Sequence, residues 1–141
     1  MTEEEFKVHD YNWYKGLLED INLLDRAIWT PCGYAVPVGG NRKSGEIEVL
    51  IELIPVMNKM LSEHPQLYPN LRIVQHDGYM QMVWGDDYNT TRIARSSLEG
   101  CVIAISMGLN FGYKKDEIKK FAIKHFGDKV FEQACKKIAY Q

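Results

Sequence analysis

The chain has 141 residues, of which 45% are hydrophobic and 26% charged. That composition suits one α+β domain over 1–141 with a buried core, and it excludes disordered, collagen-like and multi-domain readings. Seventeen basic against 19 acidic side chains give a net charge of -2, too even to mark nucleic acid or an anionic membrane as the partner.

Trp13, Leu17, Ile21, Leu24 and Ile28 recur at steps of three and four, which predicts an amphipathic helix over 11–29. Pro31 ends it, and Tyr34 to Val38 reads as a short extended piece at a sheet edge or outside the sheet, because Pro37 lacks a donor. Gly39 to Gly45 is a flexible loop. Beyond it Ile47, Val49, Ile51 and Leu53 alternate like a strand, yet Glu48, Glu52, Lys59 and Glu63 form a longer polar stripe at multiples of four. The stripe favours a helix over 46–63 with Ser44 as its N-cap and a kink or break at Pro55.

The strongest local signal comes next. Leu71 to His76 and Tyr79 to Trp84 flank Asp77-Gly78, the chemistry of a two-residue hairpin turn. The turn pairs His76 with Tyr79, Ile73 with Met82 and Leu71 with Trp84. One face, with Leu71, Ile73, Met80, Met82 and Trp84, is predicted core; the other, with Arg72, Val74, His76, Tyr79, Gln81 and Val83, is mixed. Ser96 and Glu99 match a capping box before an apolar central helix over 97–109. Two lysine-rich helices, about 114–126 and 128–139, are separated by Gly127. The fold class is therefore α+β: a small antiparallel sheet containing the 71–84 hairpin, packed by four or five helices.

Leu53-Ile54-Pro55, the Asp77-Gly78 hairpin and Ser97-Leu98-Glu99-Gly100-Cys101-Val102-Ile103-Ala104 occur in an order that resembles the small bacteriophage-encoded proteins of the phage ABA sandwich group, over roughly 50–110. The resemblance implies a phage accessory protein acting inside a bacterial host. It brings no functional residues with it.

Cys32, Cys101 and Cys135 form no CxxC pair, which argues against a disulfide framework or structural zinc and for a reducing cytoplasm. The acidic start MTEEEFKVHD lacks the order of a signal peptide, and no stretch is apolar enough to span a membrane. The even charge hides a gradient: -4 over 1–28, -2 over 29–112 and +4 over the last 29 residues.

Hydrolase, zinc-protease, dinucleotide and P-loop signatures are absent, so no catalytic residue, cofactor or metal is assigned. Several weaker features remain. Gly39, Gly40, Arg42, Lys43 and Ser44, placed before a helix, form a candidate phosphate cradle. Cys32 is a candidate nucleophile without an identifiable base, Asp86-Asp87 is half of a divalent-metal site, and Arg92 and Arg95 are surface cations. The eight lysines from Lys114 to Lys137 lack the arginines and interleaved aromatics of a nucleic-acid surface. The abundance of large apolar groups instead favours a non-catalytic protein-interaction module that binds or inhibits a host protein and self-associates. Its contacts are placed at Arg72, His76, Tyr79 and Gln81 and on the acidic N-terminal helix. The alternative is a binder of nucleotide-like phosphorylated ligands at the 39–45 loop, with an enzyme of unknown type third.

Overall fold

The computed structural model describes residues 1–86 and 94–138. Helix α1 spans Glu3–Leu17. The Thr2 hydroxyl accepts the Glu5 N–H at 3.1 Å, and Glu3, Glu4 and Glu5 occupy the positive end of the helix dipole. The helix predicted over 11–29 is thus displaced toward the N-terminus. Leu18 turns extended, Asp20 caps a short 3-10 helix at Ile21–Arg26 by accepting the Asn22 N–H, and Ile28–Thr30 form strand β1. Leu23 and Leu24 are buried from the 3-10 turn, so the apolar spacing runs on across a real break in the helix.

Strand β2, Gly33–Ala35, pairs antiparallel with β1, and Thr30-Pro31-Cys32-Gly33 is the turn between them. The Thr30 hydroxyl donates to the Gly33 carbonyl at 2.6 Å. Pro37 is buried beyond this ladder. The second correction concerns 46–63. Ser44–Val49 is strand β3, Ile51–Leu53 a 3-10 turn, and only Ile54–Ser62 is helix α2. Ser44 therefore caps nothing, and Pro55 lies in the first turn of α2, where its missing N–H has no partner to lose.

The hairpin forms as predicted. Strands β4 (Arg72–His76) and β5 (Tyr79–Gly85) pair with His76 opposite Tyr79 and Ile73 opposite Met82, and Gly78 takes φ 87° in the turn. Leu71 falls just outside the ladder. Strand β3 pairs with the other edge of β5, giving the antiparallel order β3-β5-β4. The central β5 is buried on both faces, so Val83 and Gln81 are covered although the sequence predicts a mixed face for them. Ile73, predicted core, is 47% exposed on the edge strand.

Helices α3 (Ser97–Asn110), α4 (Lys115–Phe126) and α5 (Asp128–Ile138) follow close to their predicted bounds. The Ser96 hydroxyl accepts the Glu99 N–H at 3.2 Å, while the Glu99 carboxylate accepts from Arg95 N–H rather than from Ser96. Buried side chains gather in three clusters. Met57, Leu61, Tyr68, Met82 and Trp84 join α2 to one face of the larger sheet; Cys101, Ile105, Ala122 and Phe131 join α3 to α5; Leu18, Leu23, Leu24 and Val36 lie under α1. The architecture is α+β, with two small antiparallel sheets and five α-helices among the described residues. No described helix is long and apolar enough to cross a membrane.

Candidate binding groove

The 39–45 loop is closed on itself. Gly39 and Arg42 exchange both main-chain hydrogen bonds at 2.9 Å, and the loop leads into β3, so the helix N-terminus expected behind a phosphate is not there. Arg42 is 3% exposed. Its Nε and one terminal nitrogen donate to the Val36 carbonyl at 3.3 Å, and the other terminal nitrogen donates to the Phe111 carbonyl at 3.0 Å. Ser44 is buried and bonded to the Asn110 side chain, whereas Gly40 and Lys43 face solvent. The guanidinium thus serves the main chain of the fold instead of an external anion.

On the hairpin, three of the four predicted contact residues meet. His76 Nε2 and Gln81 Oε1 lie 2.7 Å apart, and the His76 ring stacks on Tyr79 at 4.6 Å between centroids. Arg72 lies at the far end of the same face, where it donates to the carbonyls of Asn70 at 2.8 Å and Gly85 at 3.2 Å. Gln81 is only 7% exposed.

The weaker candidates are scattered. Cys32 is half-buried in the β1–β2 turn against the sheet cluster. Burial pushes the Cys101 and Cys135 thiols up, which disfavours the reactive thiolate. Asp86 is exposed, while Asp87 and Arg92 lie outside the described residues. Among the described residues no three His, Cys, Asp or Glu side chains converge as metal ligands would.

A different site emerges where three distant segments meet. The chain leaving α1 is tied to the α3–α4 corner: Lys114 N–H donates to Leu17 O at 2.7 Å, and Glu19 N–H to Gly112 O at 3.0 Å. This brings Trp13 and Leu17 opposite α3 and α4. Between them opens a groove of about 650 Å³, within the range of pockets that enclose a small ligand or several side chains. Its floor follows α3, where Gly100 and Gly108 admit the Phe126 and Ile118 side chains, a Cβ at either position meeting them at 3.0 Å or less. Ile103, Met107 and Phe111 continue that wall, and α4 supplies Ile118, Phe121 and Phe126. Trp13 and Phe121, at 58% and 52% exposure, present large aromatic surface to water at the mouth.

The polar groups in the groove are few. Glu46 enters from β3, Glu117 from α4, and Tyr113 from the connection before α4. Burial pushes the Tyr14 and Tyr113 phenols up, against the Arg42 guanidinium beside them, which also hydrogen-bonds Tyr113; the Glu46 carboxylate adds a smaller upward push. Among the described lining residues Glu46 and Glu117 are the acidic side chains, and Glu117 is paired with Lys120 at 3.3 Å. A second hollow, of about 680 Å³, lies at the start of α1, but Met1 and Thr2 form part of its wall. The groove is instead framed by regular elements.

Most of these residues carry no motif. The signal available in the sequence is a helix, 97–109, apolar nearly all round: more apolar surface than α4 and α5 cover. By sequence alone Glu46 reads as a helix dipole charge and Trp13 as core. No family model, curated protein or solved structure matches the chain.

Proposed function

We propose that this protein is a non-catalytic interaction module that receives an apolar segment of a partner protein in the groove between α1, α3 and α4. The phage accessory role implied by the sequence resemblance belongs to the same proposal, with a host protein as the partner. The observation that carries it is the open apolar groove with Trp13 and Phe121 exposed at its mouth. Large aromatic side chains left in water at the rim of a concave apolar surface are the usual anchors of protein recognition. The hairpin face supports a contact less well, because Gln81 is buried and Arg72 is bonded to main-chain carbonyls. The phosphorylated-ligand alternative loses its main cation, since Arg42 is turned inward.

The test uses Trp13→Ser and Phe121→Ser, both at exposed positions whose truncation leaves the three buried clusters intact. Affinity capture from bacterial lysate should retain specific proteins on the unmodified chain and lose them on the double variant, with unchanged circular dichroism for both. Identical captured proteins on the two chains would refute the groove as the docking surface.

A further inference from the structure

The two flanks of the larger sheet differ. On the β3 side, Ser44, Gly45, Ile47 and Val49 are buried and β2 packs alongside. On the other side, β4 is paired with β5 alone among the described elements. The two-residue turn closes on a hydrogen-bonded pair, His76 with Tyr79, and such pairs alternate along an antiparallel ladder. Arg72, Val74 and His76 therefore turn their main-chain groups toward β5, while Ile73 and Gln75 turn theirs outward. Both of these residues are exposed, and among the described residues no hydrogen bond beyond the β4–β5 ladder reaches them.

Edge strands of soluble proteins usually resist pairing through a lysine, a proline or a bulge. Strand β4, Arg72-Ile73-Val74-Gln75-His76, has none of these. Its register with β5 runs without interruption, and its arginine is folded back onto the carbonyls of Asn70 and Gly85. Ile73 also leaves apolar surface uncovered at this edge, although Leu71 and Met80 on the same face pack against the buried cluster around Met82 and Trp84.

The outward row is complementary to itself. When two copies lie antiparallel about a two-fold axis at Val74, Ile73 of each faces Gln75 of the other, and the N–H and C=O groups of these residues close four main-chain hydrogen bonds. Val74 then faces its counterpart, Ile73 is covered, and no Asp, Glu or Lys in β4 is brought against itself. We propose that the open edge of β4 is a homodimer contact, in which β4 of a second copy continues the sheet in the order β3-β5-β4-β4-β5-β3. A second copy brings the matching length, donors and acceptors without a further partner. No residue of β4 lines the groove, so this contact stands or falls independently of the docking reading.

A single edge of this length buries less area than a standard interface, so sedimentation equilibrium of the full chain should show a reversible monomer–dimer equilibrium with a dissociation constant of about 10–500 μM. Amide hydrogen exchange locates the contact. Between dilute and concentrated samples the Ile73 and Gln75 N–H groups should slow by about fivefold or more, while the Val74 N–H, already bonded to β5, changes less. Ile73→Lys should weaken dimerisation about tenfold or more, whereas Leu50→Lys, at a 64% exposed site beyond the end of β3, should leave it unchanged, with circular dichroism showing both variants folded. A chain that stays monomeric up to about 1 mM would overturn the β4 contact. So would a dimer that Ile73→Lys weakens no more than Leu50→Lys does, or exchange at Ile73 and Gln75 that does not respond to concentration.

Discussion

Arg42 and Trp84 converge on one acceptor: the Val36 carbonyl receives the indole Nε1–H at 3.0 Å and two guanidinium N–H groups at 3.3 Å. Because Arg42 also donates to Phe111 O, this single side chain joins the exit of β2 to the C-terminal end of α3. It therefore helps hold the groove's framework from behind the lining residues Phe111 and Tyr113. Arg42→Met keeps much of the stem but strips three donors from buried carbonyls. A loss of about 2–4 kcal/mol in urea-unfolding free energy is expected. Arg42→Lys should recover only part, since an ammonium cannot reproduce the planar fork. Full stability in either variant would show that the convergence is dispensable.

Gly45 is required by the same convergence. A Cβ there would lie 2.5 Å from both an Arg42 terminal nitrogen and Trp84 Nε1, and neither side chain can retreat without leaving the Val36 carbonyl. Gly45→Ala should cost about 1–3 kcal/mol as an overpacked site, whereas Gly16→Ala, where a Cβ meets nothing within 4 Å in an exposed stretch of α1, should be neutral or gain up to about 1 kcal/mol. Thermal melts of the two variants check the contrast.

Asp10 gives a prediction with an unexpected sign. Its Oδ2 accepts the Tyr34 N–H at 2.7 Å, tying α1 to β2, yet burial raises the carboxyl pKa more than this bond and the nearby His9 lower it. The folded state therefore prefers the protonated acid, so the ionised form weakens stability as pH rises through the folded value. Asp10→Asn keeps an acceptor and removes the charge. It should leave the melting temperature at pH 7 unchanged or raise it, and should flatten its dependence on pH in the acid range. Asp10→Ala orphans the Tyr34 N–H and should lose about 1–3 kcal/mol. A destabilised Asn variant would show that the charge itself is needed.

The elements legible in the sequence were those whose signals are local. Asp77-Gly78 fixed the hairpin and its register because only a few turn geometries close a two-residue loop. Ser96, Gly127 and the apolar spacing fixed α3 to α5. The failures came from two patterns running through one segment. Ile47 and Val49 alternate in a strand only six residues long, and the charges that continue the four-residue spacing, Glu52, Lys59 and Glu63, belong to the 3-10 turn, to α2 and to its C-cap. Similarly, the spacing from Trp13 to Ile28 survives because a 3-10 turn buries Leu23 and Leu24 much as a helix would. The start of α1 was legible in principle: Thr2 and the three glutamates after it form a capped, dipole-matched first turn.

The groove was not legible, since its walls come from residues 13–17, 46 and 94–126, which the main-chain bonds between Leu17 and Lys114 and between Glu19 and Gly112 bring together. Arg42 shows the same limit from the other side. In sequence it is a cation in a glycine-rich loop; only the positions of Val36 and Phe111 reveal that its charge is used internally.

Tyr68 connects this framework to alkaline pH. Its phenol donates to Ala35 O at 2.6 Å and accepts the Ile28 N–H at 3.3 Å, which bridges both strands of the small sheet from beneath. Burial pushes its pKa up to about 12, from 10.0 for the free side chain. Between those values the unfolded chain has released a proton that the folded chain retains. Stability is therefore full below about pH 10 and falls as pH rises toward 12, by up to about 1.4 kcal/mol per pH unit for one such group. Tyr14 and Tyr113, also pushed up, should steepen the fall. Tyr68→Phe removes one proton from this linkage and leaves the Ala35 carbonyl without its donor. It should be less stable at neutral pH by about 1–2 kcal/mol, yet lose stability less steeply in alkali. Urea melts from about pH 8 to about pH 11 would show the two stability curves converging; parallel curves would mean that the Tyr68 proton is not held by the fold.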